Sequence, residues 1–267
     1  MKATDKRLNR LWVDEKHKIV YCNIPKVAST NWYRVFLKFA GMNATMVNEA
    51  SLYDIHSNLK KNYLRRLADF GSEQREIIMR NYFKFMFVRN PLDRLLSAFK
   101  DRLLLKHGNA YFTEGLQIFK TFRSKKEIKS YGKEGTKAIQ FEEFLQWIIS
   151  WKNSATLNPH WRPYHLLCHP CGIHYDFIGK LETVADDTRY ILEMIGEVKY
   201  SFPSRPYHNT SAIKKIQVVK QFKTKEQYFS SISPELLKKT IQTYYQDYEL
   251  FDYAQTVPVR HKSKDIL

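Results

Sequence analysis

Cysteine is scarce. The chain of 267 residues holds three, Cys22, Cys168 and Cys171. A fold stapled throughout by disulfides is therefore excluded. Long apolar runs are also missing, and none approaches the ~20 residues a membrane-spanning helix needs. The opening MKATDKRLNRLW lacks the apolar centre of a signal peptide. As given, the sequence reads as soluble, or as a catalytic domain whose anchor is absent from this chain. Acidic residues are outnumbered: 27 Asp and Glu stand against 44 Lys and Arg, a net charge of +17. Such an excess attracts polyanions: nucleic acid, anionic lipid, phosphorylated cofactors or acidic polysaccharide. Nucleic acid gets no help from motifs, because zinc-finger spacing, an aromatic RNA-binding signature and a basic region running into heptads are all lacking. No internal repeat is evident.

What is present points to one large α/β domain spanning 1–267. A hydrophobic content of 43% supports a sizeable core. Residues 17–24 (HKIVYCNI) read as a short buried strand, PKVAST as a turn, and NWYRVFLKFAG as a helix. Trp32, Val35, Phe36 and Phe39 form its apolar stripe, and Gly41 is its stop. The same grammar recurs at 82–105: a strand (YFKFMFV), a turn (RNP) and a helix with Leu92, Leu95, Leu96, Phe99 and Leu103 inside. Two such units predict a mostly parallel sheet flanked by helices. Ligands then bind beyond the carboxyl ends of the strands, where both turns should lie. Residues 59–80 read as helical and highly charged. The 106–137 stretch, with Lys125, Lys126, Lys129, Lys133 and Lys137, reads as a basic loop or lid. A helix over 141–151, a strand over 175–180 leading into a helix to about 195, and a helix begun by Ser233 and Pro234 complete the pattern.

Chemistry concentrates in the two turns. At 24–32 (IPKVASTNW) a helix N-terminus presents backbone N–H groups, Lys26 adds charge, and Ser29 and Thr30 add hydroxyls. This is a phosphate cradle without the Walker A pattern. The plainer alternative makes Ser29 or Thr30 a helix cap and Lys26 a solvated charge. In FVRNPLDRLLSAF (87–99), Arg89 ends a strand, and Arg94 and Ser97 are placed three apart on the non-core side of the helix. A guanidinium fork and a hydroxyl suit phosphate oxygens. The alternative is an ordinary strand-end charge at Arg89 and an ion pair between Arg94 and Asp93 or Asp101.

Together these segments resemble the Golgi carbohydrate sulfotransferases, in particular the branch with the chondroitin and dermatan 4-O-sulfotransferases. That branch carries a PKVA loop followed by Cys or Ser and TNW, and an FVR-x-P-x-x-RL-x-SA segment. Here they stand as PKVASTNW (25–32) and FVRNPLDRLLSA (87–98). CHPCGIHYDFIGKLET (168–183) is similar to a third family segment, and YELFDY (248–253) is a weaker match. The departures lie in 106–137 and 199–230. The resemblance implies a P-loop-like sulfotransferase fold. It also implies 3′-phosphoadenosine 5′-phosphosulfate (PAPS) as donor and an acidic glycan, of glycosaminoglycan type or related, as acceptor. Pro25, Lys26, Val27, Ala28, Ser29, Thr30 and Asn31 would hold the 5′-phosphosulfate, and Arg89, Arg94 and Ser97 the 3′-phosphate. The Golgi lumen is the implied setting.

Sulfonate transfer needs charge neutralised on the leaving phosphate and a base for the acceptor hydroxyl. Lys26 suits the first task. His56 suits the second, since imidazole titrates near working pH, and it resembles the His of the family's HVSANL segment, from which this chain lacks one residue. His160, in LNPHWRP, resembles the family's EHW segment and is assigned to the acceptor sugar, with the role of base as its alternative. Glu182 is a third candidate base, better suited to a structural place at a strand end. No metal is expected: Cys168 and Cys171 have C-x-x-C spacing, with His165, His169 and His174 nearby, but no second pair exists. Cys168 and Cys171 could join in a local disulfide or stay reduced, and Cys22 reads as a core residue. Asn43 and Asn209 begin glycosylation sequons. The competing functions are a nucleotide-dependent phosphotransferase, which would need Mg²⁺ and an acidic ligand, and a non-enzymatic polyanion-binding module. No nucleic-acid partner is expected, and the sequence leaves the oligomeric state open.

Overall fold

A computed structural model describes residues 6–104, 112–126, 128, 139–200, 202 and 223–256. The chain divides into two compact units, Met1–Arg89 with Tyr164–Val219, and Asn90–Pro163 with Lys220–Leu267.

The first unit holds the sheet. Its strands are β1 (Leu11–Asp14), β2 (Ile19–Cys22), β3 (Arg65–Arg66), β4 (Phe83–Val88) and β5 (Phe177–Lys180), in the order β3-β1-β2-β4-β5. β2, β4 and β5 run parallel, but β1 pairs antiparallel with both β2 and β3. The sheet is thus mixed, where the sequence predicted a mostly parallel one. The difference arises before residue 19: β1 and β2 form a hairpin. Its turn is fixed by Asp14 Oδ1, which accepts from the His17 amide at 2.9 Å, and by Lys18 in a left-handed conformation (φ 53°). β2 is buried at every position, and β4 at all but its first, as strands covered on both faces must be.

Helix α1 (Ser29–Phe39) lays the expected stripe on the sheet, with Trp32, Val35, Phe36 and Phe39 all buried. Trp32 meets Phe85 at 4.7 Å between ring centroids, and Tyr21 stacks on Phe85 at 5.2 Å. The charged stretch 59–80 is not one helix. Lys60–Tyr63 ends a helical run, β3 intervenes, and a new helix covers Ser72–Asn81. The YDFIGK motif serves the sheet. Asp176 Oδ2 accepts from the Lys84 amide at 2.7 Å and pairs with the Lys84 ammonium at 3.2 Å, which aligns β5 on β4. Gly179 lies opposite Phe87, and a Cβ there would fall 2.4 Å from the Phe87 ring.

The second unit is helical. Helix α2 (Pro91–Phe99) continues into a π turn at Lys100–Leu104, and its five expected core residues are buried. They pack with Phe141, Phe144, Trp161, Leu237 and Ile241. Phe112–Phe122 is helical although the sequence predicted a loop or lid over 106–137, because Ile118 and Phe119 find this core. Lys125 and Lys126 follow that helix and are exposed, whereas Lys129, Lys133 and Lys137 lie outside the described residues. Ser233 caps the helix Pro234–Thr243 as expected, accepting from the Leu236 amide at 3.2 Å. Among the described residues, no helix is long and apolar enough to cross a membrane.

Candidate active site

The turn between β2 and α1 is built from strained backbone. Lys26 (φ 74°) and Ala28 (φ 62°) both occupy the left-handed region, which costs a residue with a Cβ about 1 kcal/mol or more. Such residues curl successive amides into a concave anion nest. Ala28 stands at the N-cap of α1 and supplies no side-chain cap, and the first turn of α1 carries no acid. The amides of Asn31 and Trp32 turn back to the Ala28 carbonyl at 3.0 and 3.3 Å, so those of Ser29 and Thr30 stand at an uncapped, electropositive helix end. Pro25 and Lys26 are half-buried at its edge. The second helix start is closed by contrast: Asn90 Oδ1 accepts from the amides of Leu92 and Asp93 at 3.1 and 3.3 Å.

His56 comes to this turn. It sits in a π turn, Ile55–Leu59, a feature frequent at functional sites. Its Nε2 lies 2.9 Å from Thr30 Oγ1, and its ring meets Tyr33 edge-on at 5.5 Å. An exposed imidazole is thereby held over the N-terminus of α1. Arg89 follows β4, the parallel neighbour of β2. Its backbone is clamped by one phenol: the Arg89 amide donates to Tyr164 Oη at 3.1 Å, and Tyr164 Oη donates to the Arg89 carbonyl at 2.8 Å. Its half-buried guanidinium enters no hydrogen bond or ion pair with the described residues. A cation with a fixed backbone and no internal partner is suited to an external anion.

The second unit places the remaining candidates. Arg94 does not lie on the non-core side of α2; it is 1% exposed. Its Nη1 donates to the Arg162 carbonyl at 2.7 Å and its Nη2 to the Pro159 carbonyl at 2.8 Å. The irregular 158–163 turn has no ladder for these oxygens, so a buried guanidinium satisfies them. Ser97 is half-buried on the same helix. His160 is oriented by a relay. Asn158 Nδ2 donates to Glu114 Oε1 at 2.9 Å, which turns Asn158 Oδ1 toward His160, where it accepts from the amide at 3.1 Å and from Nδ1 at 2.8 Å. The proton is thus fixed on Nδ1, and Nε2 is the accepting nitrogen. Glu182 is exposed in the turn after β5.

Cys22 and Cys168 form a disulfide, with Cα atoms 6.1 Å apart, and Cys171 is free and exposed. The local Cys168–Cys171 bridge is not found, and Cys22 lies in the core as expected but is bonded to Cys168. Sequence distance hid this pair: 146 positions separate two residues that β2 and the helix Tyr164–Cys168 bring together. No cluster of three or more metal-binding side chains occurs among the described residues. Tyr164, Glu114 and Asn158 were not singled out by sequence, since their roles depend on contacts 75 and 44 positions away.

Residues 9–254 match the profile described as the sulfotransferase family. Carbohydrate sulfotransferase 11 of Danio rerio is 32% identical over 94% of this chain, which covers 69% of that protein. Carbohydrate sulfotransferase 9 of Homo sapiens is 32% identical over 92% of this chain, covering 54% of the protein. For carbohydrate sulfotransferase 14 of Danio rerio the values are 31%, 92% and 62%. The chain therefore spans between about half and about two thirds of the length of such relatives. No solved structure matches it significantly.

Proposed function

We propose, from the premise that this chain belongs to the sulfotransferase family, that it moves the sulfonate of PAPS to a hydroxyl of an acidic glycan. The carrying observation is the uncapped start of α1, with two left-handed residues before it and His56 Nε2 2.9 Å from Thr30. A nest, a lysine and a base in one place are what in-line displacement at sulfur needs. In that step the acceptor oxygen forms a bond to sulfur while the bond from sulfur to the 5′-phosphate oxygen breaks. The acceptor proton goes to His56. The electron pair of the broken bond stays on the 5′-phosphate, where Lys26 and the amides from Val27 to Thr30 face the growing charge. Arg89 holds the non-reacting 3′-phosphate. Arg94 acts as a positioning residue, through the 158–163 turn that carries His160. His160 meets the acceptor sugar. The strand–nest–helix unit is the basis for reading the fold as P-loop-like.

The acceptor is read as a glycosaminoglycan or related glycan, as for the chondroitin and dermatan 4-O branch, because the excess of 44 basic over 27 acidic residues favours a polyanion. The Cys22–Cys168 disulfide fits an oxidising lumen such as the Golgi. Calorimetry with 3′,5′-phosphoadenosine, followed by transfer from radiolabelled PAPS to desulfated glycans, tests the reading. The nucleotide should bind in the micromolar range or better. At about 100 times its dissociation constant it should stabilise the fold by about 2.7 kcal/mol. Equal stabilisation by unphosphorylated adenosine would overturn the two-phosphate reading.

A further inference from the structure

A second recess opens in the first unit, beside the β2–α1 turn. Its volume is about 530 Å³, within the range of small-molecule sites. The sheet explains its position. Leu11 at the start of β1 pairs with Cys22 at the end of β2, so Arg10 arrives beside the strand end that launches the 25–31 turn. Arg10 and Asn23 are tied there by the Asn23 amide, which donates to the Arg10 carbonyl at 2.8 Å. Arg66 on β3 pairs with Trp12 and closes the far wall. Lys60 and Lys61 descend from the helical run that carries His56. In sheet order, the recess lies on the β1 and β3 side of the turn, and Arg89 lies on the β4 side.

Charge in the recess is unbalanced. Four cations, Arg10, Lys60, Lys61 and Arg66, line it with one carboxylate, Asp69. That carboxylate is already taken by Arg66 at 3.0 Å. Lys61 is exposed and enters no ion pair with the described residues. The Lys60 ammonium rests on ring faces, 5.0 Å from the Tyr33 centroid and 5.5 Å from that of Trp12. Partial burial, then the charges of Arg66, Lys61 and Arg10, pull the Lys60 ammonium below the usual lysine range. Trp12 Nε1 and Tyr33 Oη are buried behind this wall. Cations crowded together around a single, already engaged carboxylate are what an anion would relieve. Tyr33 is also the wall shared with His56. A group held in the recess therefore lies next to the imidazole.

We propose that this recess is the subsite for an anionic group of the acceptor, a carboxylate or sulfate ester on a sugar adjoining the one that receives the sulfonate. The inference rests on the reading of the chain as a sulfotransferase acting on an acidic glycan. The anion anchors beside Lys60 and Lys61, and its neighbour presents a hydroxyl to His56. Binding energy from a non-reacting part of the substrate then orients the reacting part.

Calorimetry tests it with three probes: an unsulfated hexasaccharide of alternating glucuronic acid and N-acetylgalactosamine, its carboxyl-reduced twin, and the reduced twin bearing sulfate esters. Lys60→Ala/Lys61→Ala should weaken the acidic hexasaccharide by about 10-fold or more. Its affinity for 3′,5′-phosphoadenosine should stay unchanged, and the reduced, unsulfated twin should bind weakly to wild type and variant alike. Retained, variant-sensitive binding of the sulfated twin identifies sulfate as an accepted anion, and its loss assigns the site to the carboxylate. Unchanged affinity for both anionic probes overturns the proposal. So does an equal fall in 3′,5′-phosphoadenosine affinity, which would give the recess to the donor. If the double variant fails to fold, Lys61→Glu at an exposed position carries the same test. A wild-type chain that binds 3′,5′-phosphoadenosine but does not distinguish acidic from reduced glycan defeats this proposal alone. One that does not bind 3′,5′-phosphoadenosine defeats the sulfotransferase reading beneath it.

Discussion

Lys26 and Arg89 carry the same charge but should fail differently. Arg89 is pinned by Tyr164 and follows β4, whereas Lys26 lies in the strained turn before α1. In the proposed reaction the 3′-phosphate never changes charge, and the 5′-phosphate gains it. Arg89→Ala should therefore weaken donor binding with little change in turnover at saturating donor. Lys26→Ala should lower turnover as well. Equal losses of donor affinity with turnover intact in both would remove the role given to Lys26. The two histidines separate by the same logic. His56→Ala should cost about 10²–10⁴ in turnover, while donor-product binding survives. An imidazole base works only when neutral, so the acid limb of the rate profile should vanish with it. His160→Ala should chiefly raise the acceptor Michaelis constant, and Glu114→Gln should do so in part, by loosening the amide that turns Asn158 toward His160. Loss of the acid limb in His160→Ala, but not in His56→Ala, would exchange the roles.

Two elements hold the site by contacts that single substitutions can expose. Gly179→Ala would drive a methyl to within 2.4 Å of the Phe87 ring, between β4 and β5. Overpacking of this kind costs about 1–3 kcal/mol, so the urea midpoint should fall without a change in slope. Arg94→Met keeps much of the buried volume but removes donors from the Pro159 and Arg162 carbonyls. Each buried acceptor left unpaired costs about 1–3 kcal/mol. If Arg94 instead held donor phosphate, donor affinity would fall and stability would not. These elements also show what sequence could reveal. α1, β4 and α2 were legible because long apolar stripes or aromatic runs fix their period, and both segments proposed to hold phosphate lie where a strand meets a helix. β1 and β3 were not, since four and two residues carry no period. The helix Phe112–Phe122 was masked by the lysines that follow it in the chain. The place of Arg94 was not legible, because a charged residue next to an apolar stripe suggests the non-core side of the helix, while the carbonyls that bury it lie 65 and 68 positions away.

For the chain as a whole, one covalent link sets the expectation. Cys22 and Cys168, both in the first unit, are fully buried and close a loop of 146 positions. Chain-entropy reasoning gives about 4–5 kcal/mol for a loop above 100 residues, near the top of the observed range. For a domain of this size, each 1 kcal/mol moves the melting temperature by about 2–4 °C. Cys22→Ser should therefore lower the Tm by about 8–20 °C, whereas Cys171→Ser, at an exposed free thiol, should leave it unchanged. Melting with and without reductant gives the same contrast only if the thiols are reached, so reduction is best done in denaturant before refolding. The pairing itself is read from non-reducing peptide mapping: a Cys22–Cys168 peptide with Cys171 alkylated supports the link, and a Cys168–Cys171 peptide refutes it. The compartment follows from the same experiment. Material made in a reducing cytosol should melt at the lower temperature, and material made in a secretory lumen at the higher one. The secreted form should also test the sequon at Asn43. That exposed residue caps the helix Ala44–Glu49 through Oδ1, accepting from Thr45 and Met46 at 2.9 and 3.2 Å, so glycan attachment at Nδ2 leaves the cap in place. A glycan at Asn43 should then be carried without loss of Tm; a drop on glycosylation would mean that the cap and the modification compete.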